Sequence, residues 1–230
     1  MVRLQWKLST EITKNMKDIA VYGFGGYGRE IASIIKSINA IEPTWNFVGF
    51  FDDDNTKLGL ENEYGKVIGN IETVNNYDKP LSIVMAIASP SVLEKIVSQI
   101  NNPNISFPNI IAPTVFFFDK ETFNIGKGNV ICHHCRISTD VTFGNFNLIN
   151  GCSSFGHDVK LGDYNMMQPE TRISGETSIG NKNFFGVRST VLQGIKIGNE
   201  TRIGAGSFII RKTKDGQTYF GNPAKMLKVE

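Results

Sequence analysis

From Ile125 onward every sixth residue is apolar: Ile125, Ile131, Ile137, Phe143, Ile149, Phe155, Leu161, Met167, Ile173, Ile179, Phe185, Val191, Ile197, Ile203 and Ile209. Neither the 3.6-residue period of a helix nor the two-residue alternation of a strand produces a strict six. Glycine often follows the apolar position, as at Gly126, Gly144, Gly162 and Gly180, and a compact residue often stands two before it, as at Cys135, Ser153, Thr171, Thr177 and Ser207. Each unit therefore predicts one short strand and one tight turn, with three units closing a triangular coil. Coils stacked in parallel at about 4.8 Å would bury the apolar residues in one continuous core. No large loop interrupts the register, so a ligand site is expected on an outer face or between subunits.

Ahead of the repeats the pattern changes. Residues 18–22 form a β-rich run that stops at GFGGYG (23–28), after which Ile31, Ile34, Ile35 and Ile38 share one helical face. A second strand is expected at 47–51, ending in Asp52, Asp53 and Asp54. A third is expected at 81–88, followed by Ser89-Pro90 and a helical face of Val92, Leu93, Ile96, Val97 and Ile100. The fold class is thus α/β plus β-solenoid: a small Rossmann-like parallel domain over 18–106, a connecting segment over 107–124, a β-helix over 125–210 and a tail over 211–230. In the extension 1–17, Leu4, Trp6 and Leu8 alternate as a small edge strand would.

Gly23, Gly25 and Gly28 fit the Gly-x-Gly-x-x-Gly spacing between a strand and a helix, a context in which backbone N–H groups and the helix dipole attract an anion. A phosphate-containing ligand is therefore plausible at this loop. The carboxylates at 52–54, at the end of the next strand, could accept hydrogen bonds from a ribose or a base. The plainer alternative is that the glycines allow a tight turn and the aspartates cap a strand. The segment has too few strands for a full dinucleotide fold, so no nicotinamide cofactor is expected.

Charge excludes more than it proposes. Lys and Arg total 24 against 22 Asp and Glu, which offers no global attraction for nucleic acid. The longest apolar runs, such as 83–88, are too short to span a bilayer, and the first residues lack the apolar core of a secretory signal, so a cytoplasmic location without membrane insertion is expected. Three cysteines, Cys132, Cys135 and Cys152, cannot all pair within one chain and fit a reducing compartment.

The repeats resemble the left-handed parallel β-helix of the bacterial acyltransferase superfamily, an exception to the usual right-handed crossover. The chain after residue 17 resembles one branch, the sialic acid O-acetyltransferase and bacillosamine or perosamine N-acetyltransferase family. The resemblance is carried by DIAVYGFGGYGRE (18–30), VGFFDDD (48–54), FPNIIAPTV (107–115), GHDVKLGD (156–163) and GAGSFIIRKTKDGQTYFGNPAKML (204–227). It implies an acetyl-CoA-dependent transfer to the amine of a nucleotide-linked amino sugar. O-acetylation of sialic acid or another sugar hydroxyl is the alternative, and a non-catalytic sugar-nucleotide scaffold lies outside that class.

The same resemblance places His157 and Asp158 on the family's His-acid pair, His157 as general base and Asp158 as its helper. It implies a homotrimer, with acetyl-CoA in a groove between neighbouring prisms. Gly186, Gly204 and Ala205 match small positions near the cofactor, and Arg211, Lys212, Lys214 and Lys225 are candidate phosphate contacts. Gly25, Gly26, Tyr27, Gly28, Asp52 and Asp53 would grip the nucleotide sugar. Two departures stand out: Gly156 occupies a position where relatives carry Asn, and Ala88-Ser89-Pro90-Ser91 replaces a Gly-containing loop followed by Arg.

No metal is expected. Cys132-His133-His134-Cys135 has a suggestive composition, but Cys135 falls on the inward compact position. His133 and His157 are 24 residues apart, one coil plus one face, so they do not stack as the shared histidines of a carbonic-anhydrase-like site would.

Overall fold

In the computed structural model, which describes residues 16–227, β1 (Lys17–Tyr22) is buried on both faces along Ile19, Ala20 and Val21 and so forms the middle of a sheet. It pairs in parallel with β2 (Trp45–Phe51) on one side and β4 (Leu81–Met85) on the other. Two short strands, β3 (Val67–Gly69) and β5 (Ile105–Ser106), complete the order β3-β2-β1-β4-β5. Helices α1 (Gly26–Asn39), α2 (Ile71–Asn75) and α3 (Pro90–Gln99) connect them. The two edge strands are too short to show a pattern in the sequence. The expected strand 81–88 stops at Met85, where the chain leaves the sheet to reach α3. The alternation of Leu4, Trp6 and Leu8 lies outside the described residues.

Strand order reverses direction at β1, because β2 lies on one side of it and β4 on the other. The C-terminal ends of β1 and β4 therefore frame a crevice, and residues 23–28 sit at its mouth.

The repeat region is a triangular, left-handed parallel β-helix. One face runs from Ile110–Ile111 through Val130–Ile131, Leu148–Ile149, Met166–Met167 and Phe184–Phe185 to Arg202–Ile203, and is extended by the hairpin Thr218–Gly221 and Ala224–Met226. The second face runs from Phe116–Phe117 to Phe208–Ile209 and the third from Asn124–Ile125 to Lys196–Ile197. The connecting segment 107–124 thus contributes strands to the first coil: Ile110 pairs with Val130 and Phe116 with Arg136. The step from Phe116 to Asn124 is eight residues rather than six, so the apolar ladder in the sequence becomes regular only at Ile125.

Inside, Ile131, Ile137, Phe143, Ile149 and their successors form one buried column. At each turn one residue adopts a left-handed backbone: eleven non-glycine residues from His134 to Glu200 have φ between 53° and 62°, spaced by multiples of six. Such a conformation costs about 1 kcal/mol per residue. A hydrogen bond to the coil below offsets it, as in Asp158 N–H to Thr139 O at 3.1 Å and Glu176 N–H to His157 O at 2.8 Å. At one edge a buried asparagine ladder adds side-chain bonds: Asn147 donates its N–H and its amide to Asn129 Oδ1, and Asn165 and Asn183 repeat the pattern upward.

The α/β domain lies against the first face of the prism. Val130, Leu148 and Met166, whose side chains alternate outward from the inner column, join the core cluster of β1, α1 and β4. Lys182 ties the two parts at the surface, reaching Glu94 of α3 at 3.2 Å and Glu200 at 2.9 Å.

Candidate active site

His157 stands in the turn between the second and third faces, where the left-handed conformation of Asp158 (φ 58°) folds the carboxylate back toward the ring. Nδ1 of His157 lies 2.8 Å from Asp158 Oδ2, and both side chains are about half exposed. A carboxylate accepts, so Nδ1 is the donor and Nε2 carries the lone pair, the tautomer a general base requires. Nε2 lies over the backbone of the next coil: a Cβ built on Gly175 would fall 2.7 Å from it. Gly175 did not emerge from the sequence, although its offset of one coil from His157 is a signal that could have found it.

The departure at Gly156 has a local cause. A Cβ there would press into the backbone of Gly175, with the Gly175 Cα only 2.8 Å away. The coil above has settled onto position 156.

The second cluster gathers where residues 23–28 meet the end of β2. Gly28 must lack a side chain, since its Cβ would overlap the carbonyl of Gly23, whereas Gly25 and Gly26 are exposed and open. Gly25 caps α1 without any side-chain hydrogen bond, and no acidic residue stands in the first turn, so the positive end of the helix faces solvent uncompensated. Tyr27 turns the other way: its hydroxyl lies 4.0 Å from Cys132 Sγ on the prism, and burial pushes the phenol well above its ordinary pKa.

Asp52 and Asp53 divide the work expected of them jointly. Asp52 accepts from the Phe24 N–H at 2.9 Å, from the Asp54 N–H at 3.0 Å and from Lys57 at 3.1 Å, so both its oxygens are engaged in bracing the glycine-rich loop. Burial pushes the Asp52 carboxyl up, but those two N–H groups and the Lys57 ammonium outweigh it and hold the group below the usual carboxylate range. Asp53 accepts on Oδ1 from the Tyr22 hydroxyl at 2.5 Å and the Ile71 N–H at 3.1 Å, and is exposed. Its Oδ2 is therefore the better placed to meet a ligand.

The residues expected to meet acetyl-CoA do not form one cluster within the chain. Gly186, Gly204 and Ala205 lie on the edge between the first and second faces, a different edge from His157. The smallness of Gly186 and Gly204 serves the prism itself: a Cβ on Gly186 would fall 2.5 Å from Ala205 N, and one on Gly204 would enter the Phe220 ring. Ala205 is exposed. Arg211, Lys212, Lys214 and Lys225 are all exposed but spread around the last coil. Arg211 and Lys212 follow the second face, Lys214 O accepts from Thr201 at another edge, and Lys225 sits in the terminal hairpin on the first face.

Among the described residues, no group of three or more His, Cys, Asp or Glu side chains is arranged to hold a metal ion. Burial pushes the Cys132 thiol up to about 11 and the Cys135 thiol up to about 12, away from the thiolates a metal would need. His133 instead pairs through Nδ1 with Thr114 Oγ1 at 2.9 Å. No helix among the described residues is long and apolar enough to cross a membrane.

A five-stranded parallel domain seated on one face of a left-handed β-helix is a fold shared with solved acetyltransferase structures. Residues 18–100 match the family model described as the PglD N-terminal domain. The acetyltransferase domain of PglB from Neisseria gonorrhoeae, also solved in complex with acetyl coenzyme A, superposes with a TM-score of 0.82 at 23% identity over 92% of this chain and 100% of that one. PerB from Caulobacter crescentus, in complex with CoA and GDP-perosamine, gives 0.83 at 22% identity over 92% and 97%. WeeI from Acinetobacter baumannii gives 0.81 at 24% identity over 92% and 100%. No curated protein sequence matches the chain.

Proposed function

We propose that the protein transfers an acetyl group from acetyl-CoA to the amine of a nucleotide-linked amino sugar. The observation that carries this reading is the Nδ1–Asp158 pairing of His157, which leaves Nε2 free to take a proton on an exposed prism edge. Support for the substrates comes from PerB, whose structure holds CoA and GDP-perosamine, and from the PglB domain bound to acetyl coenzyme A.

In the proposed reaction the amine nitrogen attacks the thioester carbonyl carbon and forms the C–N bond while His157 Nε2 takes a proton from that nitrogen. Collapse of the tetrahedral intermediate breaks the C–S bond, and the imidazolium returns the proton to the departing CoA sulfur. Asp158 keeps the tautomer and stabilises the imidazolium between the two steps. The open N–H groups of the first turn of α1, with Asp53, would hold the diphosphate and nucleoside, while Asp52 braces the loop from behind.

The separation of edges supports the homotrimer in this reading. His157 and the Gly204-Ala205 edge cannot meet within one prism, but the His157 edge of one copy can face that other edge in its neighbour. Ala205 and one or more of Arg211, Lys212, Lys214 and Lys225 would then line the acetyl-CoA groove.

Release of CoA is the direct test, measured with acetyl-CoA and a panel of UDP-, dTDP- and GDP-linked amino sugars beside CMP-sialic acid and free sialic acid. Turnover with an amino sugar is expected. Turnover confined to the sialic acids would replace the amine with a hydroxyl, and none with any acceptor would sink the enzymatic reading. Light scattering should return three times the chain mass.

A further inference from the structure

We infer that Gly175 is a positioning residue for His157, an inference that rests on the proposed role of that imidazole as the base. Gly175 occupies the same turn position as His157, one coil further on, in a column that reads Thr139, His157, Gly175, Gln193. All three other members carry side chains, so the coil geometry does not itself demand glycine there. Nor does the backbone, since Gly175 is absent from the residues with positive φ.

What the missing side chain makes room for is the ring. A Cβ on Gly175 would meet Nε2 at 2.7 Å, Cε1 at 2.8 Å and Cδ2 at 3.0 Å, and these three nearest atoms all belong to His157. Carbon atoms rest about 3.5–4.0 Å apart at their optimum, so the present ring position and a side chain at 175 exclude one another. Other glycines of the prism differ in this respect. Gly126, Gly162 and Gly180 are hemmed in by backbone and by the Asn side chain of the coil above. Gly175 is buried although it lies on an outer edge, because the imidazole covers it.

The ring is therefore fixed from two directions. Asp158 Oδ2 holds Nδ1 at 2.8 Å, and the other side of the ring fills the space that a Cβ on Gly175 would take. A methyl group at 175 would push the imidazole outward and strain or break its bond to Asp158. With the ring half exposed, the displacement can be absorbed in solvent, so the fold should tolerate the substitution while the geometry of the base is lost.

Gly175→Ala tests this by 15N NMR of protein labelled at its three histidines, with His157→Gln identifying the His157 ring signals. In the wild type Nδ1 should carry the proton. In Gly175→Ala the two ring nitrogens should move toward the averaged shifts of a free imidazole, while Ser174→Ala, one residue away, should leave them in place. With the amino-sugar acceptor, kcat should fall by about 100-fold, as a small misplacement of a reacting group typically costs, with the KM for acetyl-CoA and the thermal midpoint unchanged. Ring shifts in Gly175→Ala that match the wild type overturn the inference whatever the activity, and so does an equal shift in Ser174→Ala. A displaced ring with undiminished turnover would overturn instead the assignment of His157 as the base.

Discussion

The Tyr27 hydroxyl lies 4.0 Å from the Cys132 sulfur although 105 residues separate them, so the first turn of α1 rests directly on the prism. The glycine-rich loop is thereby held at a set height over the edge that carries His133 and His134. Tyr27→Ala should cost about 2 kcal/mol of stability, a typical loss for a large packed side chain. Tyr27→Phe should stay within about 1 kcal/mol, because one weak sulfur contact is all it removes. Urea denaturation of the two variants checks both; equal losses would mean that the hydroxyl and not the ring does the packing.

His157→Ala should lower kcat by about 10²–10⁴-fold, the usual contribution of a general base, with acetyl-CoA binding and oligomeric state retained. Asp158→Asn is the sharper substitution. Asparagine tolerates the left-handed backbone that Asp158 adopts at φ 58°, so the turn should survive while the charge that stabilises the imidazolium is lost. Steady-state kinetics with calorimetry for binding separates the effects, and near-normal turnover in His157→Ala would falsify the mechanism.

Stability should depend on Asp52 in a pH-specific way. The folded protein holds its carboxyl below the unfolded value of about 3.9, so its contribution is present above that pH and is lost as pH falls through the folded value. Asp52→Asn keeps an acceptor for the Phe24 N–H but loses the charge facing Lys57, and should cost about 1 kcal/mol at pH 7. Denaturation curves at neutral pH and near pH 3 should show the difference closing at the acidic end. A difference independent of pH would remove the carboxylate from the explanation.

Asn147, like Asn165 and Asn183, is bonded on both sides while fully buried. Asn147→Ala would strip Asn129 Oδ1 of its side-chain amide donor, leave the Asn165 N–H without an acceptor and leave the Asn165 amide with only Asp163 O. A cost of about 3 kcal/mol is expected from buried groups left unpaired. Asn199→Ala, on the exposed neighbouring ladder, should cost less, because water can replace Asp215 and Asn181 as its partners. Thermal melts of the two variants rank them directly.

The β-helix was legible in the sequence because every inward position recurs at one fixed step, and a rigid solenoid has no other way to bury its interior. The strand, glycine turn and helix of the α/β domain were legible for the same local reason. Three things required the tertiary structure. The seating of the α/β domain on the first face depends on outward residues Val130, Leu148 and Met166, whose eighteen-residue column is hidden inside the stronger six-residue one. The different duties of Asp52 and Asp53 depend on Phe24, Lys57 and Tyr22, which reach them from separate segments. Gly175 looks like any other turn glycine until the next coil is stacked and the His157 ring is seen to occupy the space its side chain would fill. Periodicity along the chain sets which residues face inward; contacts between coils and domains decide what the outward ones do.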